Sequence, residues 1–298
     1  MRRILILTLS ILMLINGVVL AAQSTTVGDA YSLDTEYKMP FNVNLEEWFA
    51  THPIEQGKML RMEPIFKSPR VMVMAAANKG QLIDLHYHTS CDEIVFAISG
   101  KCEQYVDGKW VVMQAGDLHF NPRGVIHATR VIGDEPFLAL SYFTPPPTGG
   151  NDRVFLNSGK TSAKPGDVIG DPYLLDTQFK KGVIINLDQW IATHPIPEGQ
   201  TMRSDFAVGT PRVQVNIGQV PKLGTHYHGS ADEIIYIYKG VGELYVDGEW
   251  VKVTAGTIHF NSRGLIHGIR PVTEDFQIFA VFAPPQAAGN DRIWVDQK

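Results

Sequence analysis

His86-Tyr87-His88 recurs 140 residues on as His226-Tyr227-His228; a carboxylate, Glu93 or Glu233, stands five residues after each, and a third imidazole, His127 or His267, 34 residues after that. On a β-strand side chains alternate with a period of two, so both imidazoles of each His-x-His share one face, about 7 Å apart along the backbone. Two residues apart on a helix they would diverge. The glutamate follows a four-residue loop and opens the next strand, and the third histidine returns after a glycine-rich turn, so three imidazoles and one carboxylate can converge on a point. Such an N3O set suits Mn, Fe, Co, Ni, Cu or Zn and gives Ca or Mg little reason to bind. A structural zinc site would be closed and usually cysteine-rich. Four donors around an octahedral ion leave two positions for water, substrate or dioxygen.

The elements that must carry these groups repeat as well. Asn44-Leu45-Glu46-Glu47-Trp48 matches Asn186-Leu187-Asp188-Gln189-Trp190, and from His86 to Arg130 the chain matches His226 to Arg270 with 25 of 45 positions identical. The repeats span about 28–157 and 170–298, joined by a linker over 158–169 rich in Ser, Gly and Lys. Within each, short runs of Val, Ile, Tyr and Phe are punctuated by Gly, Pro and Asp-Gly about every ten residues, the pattern of an antiparallel sandwich or barrel. Asp107-Gly108 and Asp247-Gly248 suit tight hairpin turns. The one helical signal per repeat is an Asn N-cap, Asn44 or Asn186, before a Leu-x-x-Trp turn that stops at His-Pro. These are all-β units with a short helix in front.

Gly80-x5-His86-x-His88-x4-Glu93-x6-Gly100 fits the first cupin motif at every position, and Gly116, Pro122, Gly124 and His127 meet the second, with Val131 where Asn is usual. In the second copy His226, His228, Glu233, Gly240, Gly256, Gly264 and His267 match, while Val220, Ser262 and Pro271 replace motif Gly, Pro and Asn. The chain thus resembles a two-domain bicupin of the cupin superfamily. The resemblance implies two tandem jelly-roll (double-stranded β-helix) barrels, each holding a divalent transition metal through its three histidines and one glutamate, Mn or Fe before Cu, Ni, Co or Zn. Germins, oxalate decarboxylases, quercetin dioxygenases and many sugar or lyase enzymes share this plan. It points to decarboxylase or dioxygenase chemistry on a small-molecule substrate, with a non-catalytic metal- or ligand-binding bicupin as the alternative.

Other paired residues have plainer expectations. His119 and His259 alternate with apolar neighbours and either face the cavity or face outward, the second being the simpler reading. His52 and His194 sit at helix ends as structural residues; Arg70/Arg212 and Arg130/Arg270 could hold an anionic substrate, with surface or inter-barrel ion pairs the simpler reading; Tyr87 and Tyr227, between ligands, face away as packing. Trp48/Trp190 and the Asn-Asp-Arg runs at 151–153 and 290–292 are expected to clamp the barrel ends.

Met1-Arg2-Arg3, an apolar run from Ile4 to Leu20 and Ala21-Ala22-Gln23 read as a signal peptide over residues 1–22, so a periplasmic or secreted location is expected. No other segment is long and apolar enough to span a bilayer. In that oxidising compartment Cys91 and Cys102 are candidates for a disulfide; their placement near opposite ends of one strand argues instead for two free thiols, and Cys91, near the mouth, for a redox role at most. With 26 basic and 31 acidic residues and no long basic run, nucleic acid is not an expected partner. The two barrels can satisfy each other as an internal pair, and a homo-oligomer is also compatible with the sequence.

Overall fold

A computed structural model describes residues 26–156, 166–286 and 291–295. The expected signal peptide and most of the linker lie outside the described residues. The chain builds two barrels, each of two antiparallel sheets facing each other as a jelly roll. In the first barrel the six-stranded sheet runs in the order Val183–Asn186, Asp117–Asn121, Asp92–Ser99, Phe137–Thr144, Met72–Asn78, Leu60–Lys67. Its five-stranded partner runs Arg153–Phe155, Ile83–His88, His127–Ile132, Lys101–Val106, Lys109–Gln114. The second barrel repeats both orders. Among the described residues no helix is long and apolar enough to cross a membrane.

Strand Val183–Asn186 belongs to the second repeat, yet it hydrogen-bonds in the first barrel, Ile184 opposite His119. Reciprocally, Phe41–Asn44 pairs in the second barrel, Asn42 opposite His259. The stretch before each strand follows it across: Gly28 N–H donates to the Gly264 carbonyl and Gly170 N–H to the Gly124 carbonyl, both at 2.8 Å. A Cβ at Gly170 would stand 2.1 Å from the Tyr87 ring, so only glycine lets this crossing segment lie flat on that ring. The sequence repeats and the spatial barrels are therefore different units, interlocked by exchanged first strands.

The short helices Leu45–Thr51 and Leu187–Thr193 begin where expected: the Asn44 side chain accepts from Glu47 N–H at 3.0 Å and Asn186 from Gln189 N–H at 2.9 Å. His52 and His194 close them, stacked on Trp48 and Trp190 at centroid distances of 4.3 and 4.2 Å. Asp107 and Gly108 adopt φ 51° and 77°, and Asp247 and Gly248 48° and 89°, in each hairpin the left-handed pair that a type I′ turn needs.

The largest core lies between the barrels. Phe66 stacks on Phe260 at 4.9 Å and Phe96 meets Phe279 at 4.8 Å. Both six-stranded sheets are thus covered on both faces, by the other barrel outside and by the barrel interior inside. Arg212 grips Asp92 through two hydrogen bonds of 2.9 and 2.8 Å, and Arg70 grips Asp232 at 3.0 and 2.8 Å, so the expected inter-barrel ion pairs are present in both directions. Arg130 and Arg270 pair with Glu103 and Glu243 and lie over Trp110 and Trp250.

Candidate metal centres

The eight predicted residues form two clusters, His86, His88, Glu93, His127 and His226, His228, Glu233, His267, all buried, with donor atoms within 4.8 Å of one another in each. Three strands position each set. His86 and His88 share a face of Ile83–His88 as the two-residue period requires, Glu93 is the second residue of Asp92–Ser99, and His127 opens His127–Ile132 directly opposite His86. The register slips by one between Ile83 and His86, a bulge repeated between Leu223 and His226. Such bulges re-aim side chains, and here the Asp84 carbonyl accepts from His86 Nδ1 at 2.7 Å.

The hydrogen bonds set the tautomer. His127 Nδ1 lies 3.0 Å from the Val125 carbonyl and His88 Nδ1 2.5 Å from Asp152 Oδ1; in the second barrel His226, His228 and His267 meet the Gly224 carbonyl, Asp291 and the Leu265 carbonyl at 2.8, 2.5 and 2.9 Å. Carbonyls can only accept, so Nδ1 carries a proton and Nε2 is the ring atom left facing the cluster to bind a metal. All six Nε2 atoms are buried without a hydrogen-bond partner. His127 Nε2 lies 2.9 Å from Glu93 Oε2 without the alignment of a hydrogen bond, as two donors aimed at one ion would be. The residues fit a divalent transition metal.

The electrostatics agree. Burial alone would raise the Glu93 carboxyl, but His127, His88 and Arg153 outweigh it and hold it well below the usual carboxylate range. Burial pushes the His86 imidazole well down, helped by His127 and His88. Burial also lowers His228, yet Asp291 and Glu233 more than reverse this and push it up to about 9, whereas burial and His267 lower His226 to about 3.

Asp152 and Asp291 are the functional residues that sequence reasoning placed elsewhere, among barrel-end clamps. Asp152 holds His88 through one oxygen and Ser90 N–H and Oγ at 2.8 and 2.7 Å through the other, and Asp291 repeats this with His228 and Ser230. The signal available was the doubled Asn-Asp-Arg run itself. Cys91 packs behind His88, its Sγ 3.5 Å from Asp152; it is fully buried, and burial followed by Asp152 drives its thiol far upward, away from redox reactivity. Cys102, on the strand after Glu93's, is also free and buried, and burial pushes it up to about 12.

His119 and His259 correct the outward reading. Leu118 and Phe120, its neighbours on the strand, point into the inter-barrel core, so His119 points into the barrel, wholly buried and opposite Val95 of the cavity wall. Burial lowers both imidazoles to about 3. His259 Nδ1 lies 2.6 Å from Asn42 on the exchanged strand. His52, His194, Arg70, Arg212, Arg130 and Arg270 all lie apart from the metal clusters, as expected.

Each cluster opens on a cavity. The first measures about 70 Å³, walled by Leu60, Met62, Ala76 and Phe137 beside His86, Glu93, His127 and Arg153. The second measures about 240 Å³ and includes Glu233 and Arg292, with Ser204 and Gly218 where the first has Met62 and Ala76.

The cupin domain family matches residues 73–143 and 212–282, once in each repeat. An uncharacterized protein of Aquifex aeolicus (strain VF5) is 33% identical over 84 residues, 28% of this chain and 65% of that protein, so the chain matches less than two thirds of that relative's length. Among solved structures, a cupin 2 conserved barrel domain protein from Leptotrichia buccalis aligns at TM-score 0.59 and 13% identity over 84% of this chain and 99% of its own. A salicylate 1,2-dioxygenase from Pseudaminobacter salicylatoxidans aligns at TM-score 0.63 and 15% identity over 89% of this chain and 86% of its own. At such identities the likeness is one of fold. With two matched domains, two jelly rolls and two buried clusters of three histidines and a glutamate, the chain belongs to the cupin superfamily as a two-domain bicupin.

Proposed function

We propose that this bicupin is an exported metal-dependent enzyme, of decarboxylase or dioxygenase type, acting on a small oxygenated substrate. One observation carries the reading: six buried Nε2 atoms, three per barrel, converge with a glutamate beside a cavity and have no hydrogen-bond partner. The N3O donor set with open positions suits Mn or Fe, and such an ion when bound supplies Lewis-acid or dioxygen chemistry. The chain's own part is preorganisation. Asp84 and Val125 carbonyls and the Asp152 carboxylate hold the three imidazole planes, while Leu60, Met62 and Phe137 exclude water from the reacting side. A salicylate 1,2-dioxygenase of the same fold has been solved in complex with gentisate, which supports an oxygen-bearing small molecule as the substrate class. The expected signal peptide supports a periplasmic or secreted location.

The test is metal analysis of purified protein, then oxygen uptake and carbon dioxide release with a panel of carboxylates and phenolics. About two metal ions per chain and turnover of one substrate are expected. Stoichiometric metal with no turnover would leave the non-catalytic binder. His88→Ala and His228→Ala should each remove one metal; loss of neither refutes the ligand assignment.

A further inference from the structure

We propose that the first barrel takes a ligand bearing a carboxylate, held by Arg153. The inference rests on the metal-centre reading above and names the charged group its substrate carries. Arg153 lies on the strand Arg153–Phe155, directly opposite His88, and lines the same cavity as His86, Glu93 and His127. Its Nε is buried and has no hydrogen-bond partner. The chain elsewhere pairs its arginines closely: Arg61, Arg70, Arg130 and Arg212 each reach a carboxylate within 2.8 Å. Among the described residues Arg153 has no such ion pair, although its charge is felt at Glu93.

Arg153 is half-buried, and a buried guanidinium N–H left unfilled is costly, a cost that an arriving anion removes. The planar fork of arginine matches a carboxylate through two parallel N–H bonds. Glu93 is the one carboxylate among the residues lining this cavity, so a bound divalent ion together with Arg153 leaves the space positive and favours an anion. Leu60, Met62 and Phe137 then offer an apolar wall to the rest of a short chain, and about 70 Å³ limits its size. Arg292 stands opposite His228 and lines the second cavity in the same way, so the placement is kept in both copies.

The probes are propionate and its neutral isostere propionamide, titrated calorimetrically into zinc-loaded full-length protein. Zinc is redox-inert, so the heat reports binding alone. His228→Ala confines the metal to the first barrel. Propionate should bind at least about tenfold tighter than propionamide, and Arg153→Met should abolish that preference while one zinc per chain remains. Should Arg153→Met lose its zinc, Arg153→Lys carries the comparison, because it keeps the charge and loses the fork; a several-fold weaker propionate affinity is expected. Equal affinity for the two probes in the parent, or unchanged propionate affinity in a zinc-retaining Arg153 variant, overturns the proposal. Failure of the underlying reading shows separately, as absence of zinc from the first barrel of the parent.

Discussion

At the scale of single residues, the metal clusters depend on groups that never touch the ion. Asp152 accepts from His88 Nδ1 and from Ser90, and burial of its carboxyl is outweighed by His88, which keeps it well below the usual carboxylate range. Asp152→Asn removes the charge and leaves the shape, so the first barrel should lose metal affinity by roughly 10- to 100-fold, as outer-sphere partners of ligating histidines generally do. Competition with a chromophoric chelator measures this, and the second barrel, served by Asp291, should be unchanged. The ligands themselves were legible because their residue types and spacing recur in both repeats. Asp152 was not, because it lies 64 residues from His88 along the chain and only strand pairing brings them together.

At the scale of elements, turns and register explain where the motif bends. Gly80 adopts φ 124°, a region open to glycine alone, whereas Val220, in its place in the second repeat, adopts φ 49°. The two loops therefore differ, and valine, itself strained at this positive φ, is accommodated only in the second. Gly80→Val should destabilise the protein by about 1–3 kcal/mol, read as a lower urea midpoint at constant m-value. The His119 strand shows what alternation leaves open. Leu-His-Phe-Asn specifies that the histidine and the apolar residues face opposite ways, but not which way is inside. On a barrel alone in water the apolar side would be the interior; here the other barrel covers the outside, and the histidine takes the interior. The bulge at His86 left no mark in the sequence, since any residue pair can be bulged.

At the scale of the molecule, the halves interlock through exchanged strands and one shared aromatic core. Protein cleaved at a protease site inserted at Ser162 should therefore keep both fragments together, co-eluting in size-exclusion chromatography at the mass of the intact chain. Separation without denaturant would contradict the exchange. Acid should loosen the same interface. Asp34 and Asp176 are held below the ordinary value of 3.8 chiefly by hydrogen bonds from Arg70 and Arg212. Their folded-state pKa lies below the unfolded one, so their contribution is present above about pH 4 and is lost as the pH falls through the folded value. The melting temperature should drop as the pH falls below about 4, and drop less in an Arg70→Met, Arg212→Met double variant.

The amino-acid sequence by itself determined the repetition, the strand-rich class, the helix caps, the hairpin turns and the ligand set, because each is written as residue types at fixed spacings, kept in both repeats, whose backbone preferences and donor chemistry need no knowledge of the packing. Tertiary structure alone decided which repeat lends its first strand to which barrel, which face of each sheet is interior, and which arginine enters the cavity. Those depend on contacts between segments far apart along the chain, whose outcome is set by how two curved sheets bury their apolar faces against each other.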